Sequence, residues 1–152
     1  MAGQQASVVK QPALPRWLKF ANRVIVFLQR LGLAIGTMHV LTVMGRKSGK
    51  PHSTPVQIVT IAGQTYIVAG LEKADWVRNA RAAGWGYFAH GRKRRRVGLV
   101  EVPVEQCGAI LREFPRQVPH GVAFFTQIHG VGPDPDAFSA LASVCPVFRV
   151  ED

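Results

Sequence analysis

The stretch LTVMGRKSGKPHSTPV, residues 41–56, joins two apolar segments through a short basic turn. Residues 40–44 and 56–61 are rich in β-branched side chains, which is typical of strands. Between them, Gly45 and Gly49 allow backbone conformations that other residues avoid, and they let a ligand approach the chain closely. The sequence therefore predicts two strands joined by a glycine-containing turn.

This turn carries the side chains and amides of an anion site. Its cations and hydroxyls are Arg46, Lys47, Lys50, Ser48, Ser53 and Thr54. Successive amide N–H groups in such a turn can converge on an anion. The turn is not a P-loop, because only three residues separate Gly45 from Gly49 and Pro51 follows Lys50. A phosphate site and a solvated hairpin tip both remain open at this point.

The remaining pattern predicts short strands, hairpins and a few helices. Strands are expected at residues 65–69, 85–90, 96–102 and 147–150, with turns at 62–64 and 91–95. Helices are expected from residue 15 to about 31, at 76–83 with Asp75 as its cap, at 104–114, and from 135 to about 143. Short strands joined by hairpins favour an antiparallel sheet closed into a small barrel with helices outside.

Composition indicates one packed domain with an anionic partner. Apolar residues make up 47% of the chain and charged residues 18%, which excludes a disordered chain. We expect a loose tail at residues 1–13 and a single domain at 14–152. The 19 Lys and Arg against 9 Asp and Glu give a net charge of +10. This excess favours nucleic acid, an acidic membrane surface or a phosphorylated small molecule, unless it only aids solubility.

Cysteines and apolar runs point to neither a metal site nor a membrane span. Cys107 and Cys145 belong to no CxxC pair, and we expect both to be buried. Polar residues interrupt the apolar run 17–35. We therefore expect a cytoplasmic protein whose first helix, residues 15–35, either packs on the barrel or contacts anionic lipid at the membrane surface.

Two segments together resemble a known family. LTVMGRKSGKPHSTPV is similar to the signature LTTTGRKSGxxRxTPL of the deazaflavin-dependent nitroreductase family of actinobacteria, and DWVRNARA, residues 75–82, resembles its W-x-x-N-L-x-A segment. The resemblance covers residues 14–103 and, more loosely, 146–150. It implies an α+β fold, a split β-barrel of the flavin-reductase and pyridoxine-phosphate-oxidase type. Such barrels often form homodimers.

The resemblance also implies a cofactor and its binding residues. The cofactor is coenzyme F420, an 8-hydroxy-5-deazaflavin with a phosphate and an oligoglutamate tail, rather than FMN. Arg46 and Lys47, helped by Ser48 and Lys50, are expected at the phosphate or tail. The ring is expected between the backbone of Thr54, Pro55 and Val56 and that of Ala69 and Gly70, above a lower wall formed by Trp76 and Asn79.

The chain departs from the family pattern in three places. His52 stands where the family has an arginine, and the family's glycine-rich loop is reduced to residues 71–74, where Lys73 replaces its lysine. Late tyrosines are replaced by phenylalanines, which predicts an apolar acceptor pocket lined by Phe124, Phe125, Phe138 and Phe148. The catalytic residues stay unknown; the candidate proton donors are Tyr66, Tyr87, His52, His120 and His129.

A second basic cluster, GRKRRR at residues 91–96, has no aromatic residues interleaved with it along the sequence. We interpret it as an exposed hairpin and expect no nucleic-acid binding. The leading hypothesis is an oxidoreductase that uses reduced F420 to transfer hydride to a quinone-like or nitroaromatic acceptor. The alternatives are a non-catalytic split-barrel relative that binds fatty acid or another lipid, and a basic nucleic-acid-binding barrel.

Overall fold

The computed structural model describes residue 23 and residues 39–152. Three predictions fall outside the described residues: the loose tail, the membrane contact through residues 15–35, and the first helix. Arg23 is the one described residue of that helix, and it is helical. Within the part of the chain that the structure describes, no helix is long and apolar enough to cross a membrane.

Six strands form a closed antiparallel barrel. They are β1 (His39–Met44), β2 (Pro51–Ile61), β3 (Gln64–Val68), β4 (Trp85–His90), β5 (Lys93–Glu101) and β6 (Val147–Glu151). Their order around the barrel is β1-β2-β3-β6-β5-β4, and every neighbouring pair is antiparallel. The predicted fold class, an α+β barrel with peripheral helices, is confirmed.

The helices lie between the strands of this barrel along the chain. They are α1 (Asp75–Ala83), α2 (Val104–Arg112), α3 (Phe114–Gln117), α4 (Val122–His129) and α5 (Pro135–Ser139), with a 3-10 turn at Pro119–Gly121. Helix α1 ends at Gly84, whose φ of 75° is the left-handed conformation that glycine adopts at low cost. Ala74, and not Asp75 as predicted, is the N-cap residue, and its side chain makes no capping bond.

Two apolar cores lie on the two faces of the sheet. The first fills the barrel with alternate strand residues such as Leu41, Ile67 and Phe148, and α1 adds Val77 and Ala80. The second lies between the outer face of the sheet and the later helices; its members include Val59, Val147, Leu111, Phe114, Phe125 and Phe138. Both cysteines are buried, as predicted; Cys107 and Cys145 belong to the second core.

Several predicted boundaries were wrong. For two strands the reason is that pairing with a neighbour extends the strand into polar sequence. Strand β2 begins at Pro51, inside the stretch expected to be turn. Strand β5 begins at Lys93, so the turn before it is Gly91-Arg92 and not residues 91–95. The last helix, α5, ends at Ser139 instead of continuing to about residue 143. Residues 117–132, which lack a clear pattern, contain α4.

The second basic cluster therefore lies largely on a strand, beside aromatic residues of its neighbour. The guanidinium of Arg94 lies 4.0 Å from the ring centroid of Tyr87, and that of Arg96 lies 4.2 Å from the ring of Trp85. Such cation–π contacts offset part of the repulsion between neighbouring cations. The absence of interleaved aromatics along the sequence was thus misleading, because strand pairing interleaves them in space.

Closure of the barrel between β1 and β4 depends on a glycine. A Cβ added at Gly86 would lie 2.8 Å from the backbone oxygen of Thr42 on β1, so the strands would have to separate. We expect Gly86→Ala to lower the free energy of unfolding by about 1–3 kcal/mol, the usual cost of overpacking. Urea denaturation followed by circular dichroism measures this change.

Gly98→Ala on β5 is the matched control. A Cβ there would meet nothing nearer than 3.7 Å, which is ordinary contact. We expect Gly98→Ala to leave stability within about 1 kcal/mol of the parent protein. Equal destabilisation by the two variants would contradict the role assigned to Gly86.

Candidate functional site

The basic turn, residues 45–50, is closed by its own backbone. The Gly45 N–H donates to the Lys50 oxygen at 2.8 Å, and the Gly49 N–H donates to the Gly45 oxygen at 2.9 Å. Gly49 has a φ of 71°, a conformation that β-carbon-bearing residues rarely adopt. The two glycines thus let a six-residue turn connect Met44 of β1 to Pro51 of β2, which are paired.

Two side chains lie over Gly45. A Cβ at this position would lie 2.7 Å from Ser48 Oγ and 2.9 Å from His52 Nε2, so a larger residue would displace these two side chains. Ser48 Oγ and His52 Nε2 are 3.4 Å apart, and Ser48 Oγ also accepts the Lys50 N–H at 3.2 Å. The structure thus brings together two of the predicted site residues, Ser48 and His52.

A buried amide holds the turn against α1. Asn79, 4% exposed, accepts two hydrogen bonds at Oδ1: from the Arg46 N–H at 3.1 Å and from Arg46 Nη1 at 2.8 Å. Arg46 Nη2 also lies 3.5 Å from Asp75 Oδ1. Two residues predicted for different parts of the site, Arg46 and Asn79, are therefore in contact, and α1 fixes the orientation of the turn.

The outer part of the turn remains available to a ligand. Lys47, Ser48 and Lys50 are exposed. The amides of Gly45, Arg46, Gly49 and Lys50 are all used within the protein. Over the described residues, those of Lys47 and Ser48 have no partner, and no carboxylate pairs with Lys47 or Lys50. Two successive amides and two ammonium groups are the chemistry of an anion site.

Next to the turn, β2 changes its partner. Residues 51–56 pair with β1, whereas residues 57–61 pair with β3. The ladder to β3 ends at Gln57 and Val68. On the other edge of β3, pairing continues one residue beyond β6, where the Ala69 N–H donates to the Pro146 oxygen at 2.9 Å. Along Thr54–Val56, the backbone edge that faces away from β1 therefore has no described strand beside it. The predicted residues Thr54, Pro55, Val56, Ala69 and Gly70 flank this opening.

Helix α4 forms a wall on the far side of the opening. The Phe124 ring would lie 2.5 Å from a Cβ at Gly70, so the ring packs directly on the glycine. His129 Nε2 lies 2.7 Å from the Gly70 oxygen, to which it can donate, and 3.5 Å from Cys145 Sγ. Sequence reasoning missed these contacts, although the Gly130 that ends α4 is a recognisable stop signal.

The other predicted site residues have different surroundings. Trp76 packs on the buried Phe148 with ring centroids 5.7 Å apart, which makes it part of the barrel core. Lys73 is exposed, two residues before Asp75. The expected phenylalanine lining was largely wrong: Phe125 and Phe138 are in the outer core and Phe148 is inside the barrel, so only Phe124 is half-buried beside Gly70.

The five candidate proton donors also lie in different parts of the structure. His52 and His129 lie at the turn and at Gly70, respectively. Tyr66 packs against the outer core, Tyr87 lies under Arg94, and His120 is exposed on the 3-10 turn. Of these five residues, His52 and His129 are thus the ones that lie near the turn and the opening in β2.

The Cys145 thiol is not a nucleophile, although it lies close to His129. Burial, with a smaller contribution from Cys107, raises the pKa of Cys145 to about 12. Since the reactive form of cysteine is the thiolate, this residue is protonated and inert at neutral pH. Burial also raises the pKa of Cys107.

The Arg46–Asn79 contact gives a prediction on stability. Asn79→Ala leaves the Arg46 N–H and guanidinium without their acceptor, and we expect the free energy of unfolding to fall by about 1–3 kcal/mol. Asn79→Asp keeps an acceptor oxygen at the same position, so it should lose much less. Urea denaturation of both variants makes the comparison, and equal losses would contradict the role of this oxygen.

The raised pKa of Cys145 gives a prediction on reactivity and pH. In the native protein at pH 8, Ellman's reagent should label Cys145 far more slowly than in urea, where the thiol is exposed. The unfolded chain loses the thiol proton near the ordinary value of 9.0, while the native chain keeps it to about 12. Stability should therefore fall as the pH rises above 9. Rapid native labelling of Cys145 would contradict this account.

Comparisons with known proteins identify the family and the fold. The family model of the F420H2-dependent quinone reductases matches residues 21–119. Among curated proteins, none matches the chain. An F420-H2 dependent reductase, FDR-A, superposes with a TM-score of 0.54 at 22% identity, over 76% of this chain and 94% of its own.

Two further solved structures share the fold. A domain-swapped dimer superposes with a TM-score of 0.55 at 20% identity, over 89% of this chain and 97% of its own. An F420 reductase superposes with a TM-score of 0.51 at 15% identity, over 80% and 90% of the two chains. The resemblance found in the sequence is thus confirmed, and the chain belongs to the F420H2-dependent quinone reductase family, as an enzyme that uses coenzyme F420.

Proposed function

We propose that the protein reduces a quinone-like or nitroaromatic acceptor with F420H2, and that the basic turn binds the anionic part of the cofactor. The observation that supports this most directly is the combination at residues 47 and 48 of two amides without partners with the exposed ammonium groups of Lys47 and Lys50. The phosphate and glutamate tail of F420 require such donors.

The residues of the turn fit an anion on three grounds. Its cations face solvent and, over the described residues, Lys47 and Lys50 lack a paired carboxylate. Its backbone is held by Gly45 and Gly49, so little ordering is required when a ligand binds. The Arg46 side chain is anchored to Asn79, which places one more positive charge beside the turn while leaving its side chain 23% exposed.

The opening beside β2 supports the proposed position of the ring. Antiparallel pairing would place Ala69 opposite Val56 and Gly70 opposite Pro55, but the ladder ends one pair earlier. Within residues 54–56, the Pro55 carbonyl faces away from β1 and can therefore accept a hydrogen bond from a flat heterocycle. On the opposite side of the opening, Gly70 has no side chain that would fill the space, and Phe124 packs on it from outside.

When bound, the reduced deazaflavin supplies a hydride to the acceptor. The residues of this chain bind and orient the two molecules. Lys47 and Lys50 neutralise the tail, the β2 edge fixes the plane of the ring, and the half-buried Phe124 offers an apolar contact for the acceptor. His129 Nε2 lies 2.7 Å from the Gly70 oxygen, and this contact holds α4 beside Gly70.

Anaerobic mixing of the protein with F420H2 tests the reaction. Addition of menadione as the quinone or of a nitroimidazole as the nitroaromatic should oxidise the cofactor, which the rise of F420 fluorescence reports. Enzyme-dependent oxidation with either acceptor supports the proposal, and the rates rank the two acceptor classes. No enzyme-dependent oxidation with either one contradicts it.

Lys47→Ala tests the role of the turn. The variant loses one charge-assisted hydrogen bond, worth about 1.5–3 kcal/mol. We expect the Kd for F420 to rise by about ten- to a hundredfold. A fluorescence titration measures it.

Arg116→Ala is the control, because Arg116 is an exposed cation that pairs with Glu113 on the other side of the molecule. It removes the same charge and should leave the Kd within about twofold. An unchanged Kd in Lys47→Ala, or equal losses in the two variants, would rule out the turn as the specific anion site.

A further inference from the structure

A cavity of about 460 Å³ lies at the end of the barrel away from the basic turn. Strand β1 runs from His39, at the cavity, to Met44, at the turn. Its length separates the two ends by about 17 Å, at 3.4 Å per residue. The cavity is therefore separate from the basic turn proposed to bind the anionic part of the cofactor, although His39 pairs with Val56 at the proposed ring position.

The described residues that line this cavity are mostly basic: His39, Phe88, His90, Lys93, Arg94 and Arg95. Strand pairing places them there, because β4 and β5 set His90 opposite Lys93 and Phe88 opposite Arg95. The floor is apolar, since Phe88 is 6% exposed and its ring stacks on that of His39 with centroids 4.9 Å apart.

The positive charge of the cavity is only partly compensated. Arg95 pairs with Asp152 at 3.0 Å. Over the described residues, no carboxylate lies within ion-pair distance of Lys93. Lys93 and Arg95 are two residues apart on β5 and so share one face, where their like charges repel each other. An anion in the cavity would remove this repulsion.

One polar atom beside the cavity lacks a partner. His90 Nε2 is buried and, among residues 39–152, finds no hydrogen-bond partner. Buried polar atoms nearly always have a partner, so an exception indicates a missing group. The ring of His90 lies 4.3 Å from that of His39, which places both imidazoles at the same cavity.

We propose that this cavity binds a small phosphate-bearing anion. Lys93 and Arg95, which lie opposite His90 and Phe88 and so share their face, provide two charges, and guanidinium groups match the oxygen geometry of phosphate. The buried His90 nitrogen supplies a further hydrogen bond at the inner side. Two cations and an imidazole suit a dianion better than a single carboxylate. The Phe88 ring already stacks on His39 and lies near the Arg95 guanidinium, so it is not free to stack on a ligand. The ligand is therefore held by charge.

The test is calorimetric titration of the full chain with pyrophosphate in physiological chloride. Saturable binding is expected in the parent protein. The double variant Lys93→Gln/Arg95→Gln should weaken it at least about tenfold, since two charge-assisted contacts are lost. His90→Phe, which keeps a ring of similar size, should weaken it by a smaller factor. Circular dichroism melting confirms that each variant folds.

Two matched variants locate the binding. Arg96→Gln removes a charge from the same hairpin outside the cavity, where Arg96 stacks on Trp85, and should leave the affinity within about twofold. The basic turn is itself a proposed anion site, so the titrations are repeated in the Lys47→Ala background, where the binding that the double variant weakens should persist. Equal loss in Arg96→Gln, or no saturable binding in the Lys47→Ala background at millimolar pyrophosphate, would overturn the assignment.

A vesicle assay distinguishes a free anion from a lipid headgroup. Sedimentation with phosphatidylglycerol vesicles in the absence of any pyrophosphate binding would overturn the proposal of a small ligand. F420 titration of the double variant separates this inference from the proposed function. Its affinity for F420 should be unchanged, so failure of one site is distinguishable from failure of the other.

Discussion

The change of partner along β2 is the constraint on which the rest of the structure depends. One strand of eleven residues pairs with β1 over its first half and with β3 over its second. This switch lets six strands close into a barrel. It also leaves a backbone edge at residues 54–56 without a described neighbouring strand, because the ladder between β2 and β3 ends at Gln57 and Val68. Closure of the barrel and the opening for a planar cofactor therefore have the same origin.

The basic residues divide into groups with different surroundings. Arg46 is held by Asn79 and Asp75, so its charge orients the turn as well as attracting an anion. Lys47 and Lys50 remain exposed at the tip of the turn. On β5, alternation of side chains sends Arg94 and Arg96 over aromatic rings and turns Arg95 toward Phe88. The cations behind the net charge of +10 thus fall into at least two separate clusters.

Local signals predicted the parts of the fold that local physics controls. Gly84 ends α1 and the Ala62-Gly63 turn joins β2 to β3, with φ of 52° and 80° at its two residues, because a two-residue hairpin needs positive φ there. Strand bounds were less accurate at Pro51 and Lys93, where pairing with a neighbour extends the strand into polar sequence. The sequence of α4 has no clear helical period of apolar residues. The position of this helix depends on a contact with Gly70, which is distant in the chain.

By itself, the sequence determined the family, the barrel and the basic turn, because glycine spacing, β-branched runs and a motif of sixteen residues are all short-range features. Only the tertiary structure decided which side chains meet. It buried Phe125, Phe138 and Phe148 in two cores, left Phe124 at Gly70, and tied Asn79 to Arg46. It also gathered His39, His90 and Lys93 around one cavity. The physical reason is that strand register and helix docking, which no local pattern encodes, set these distances.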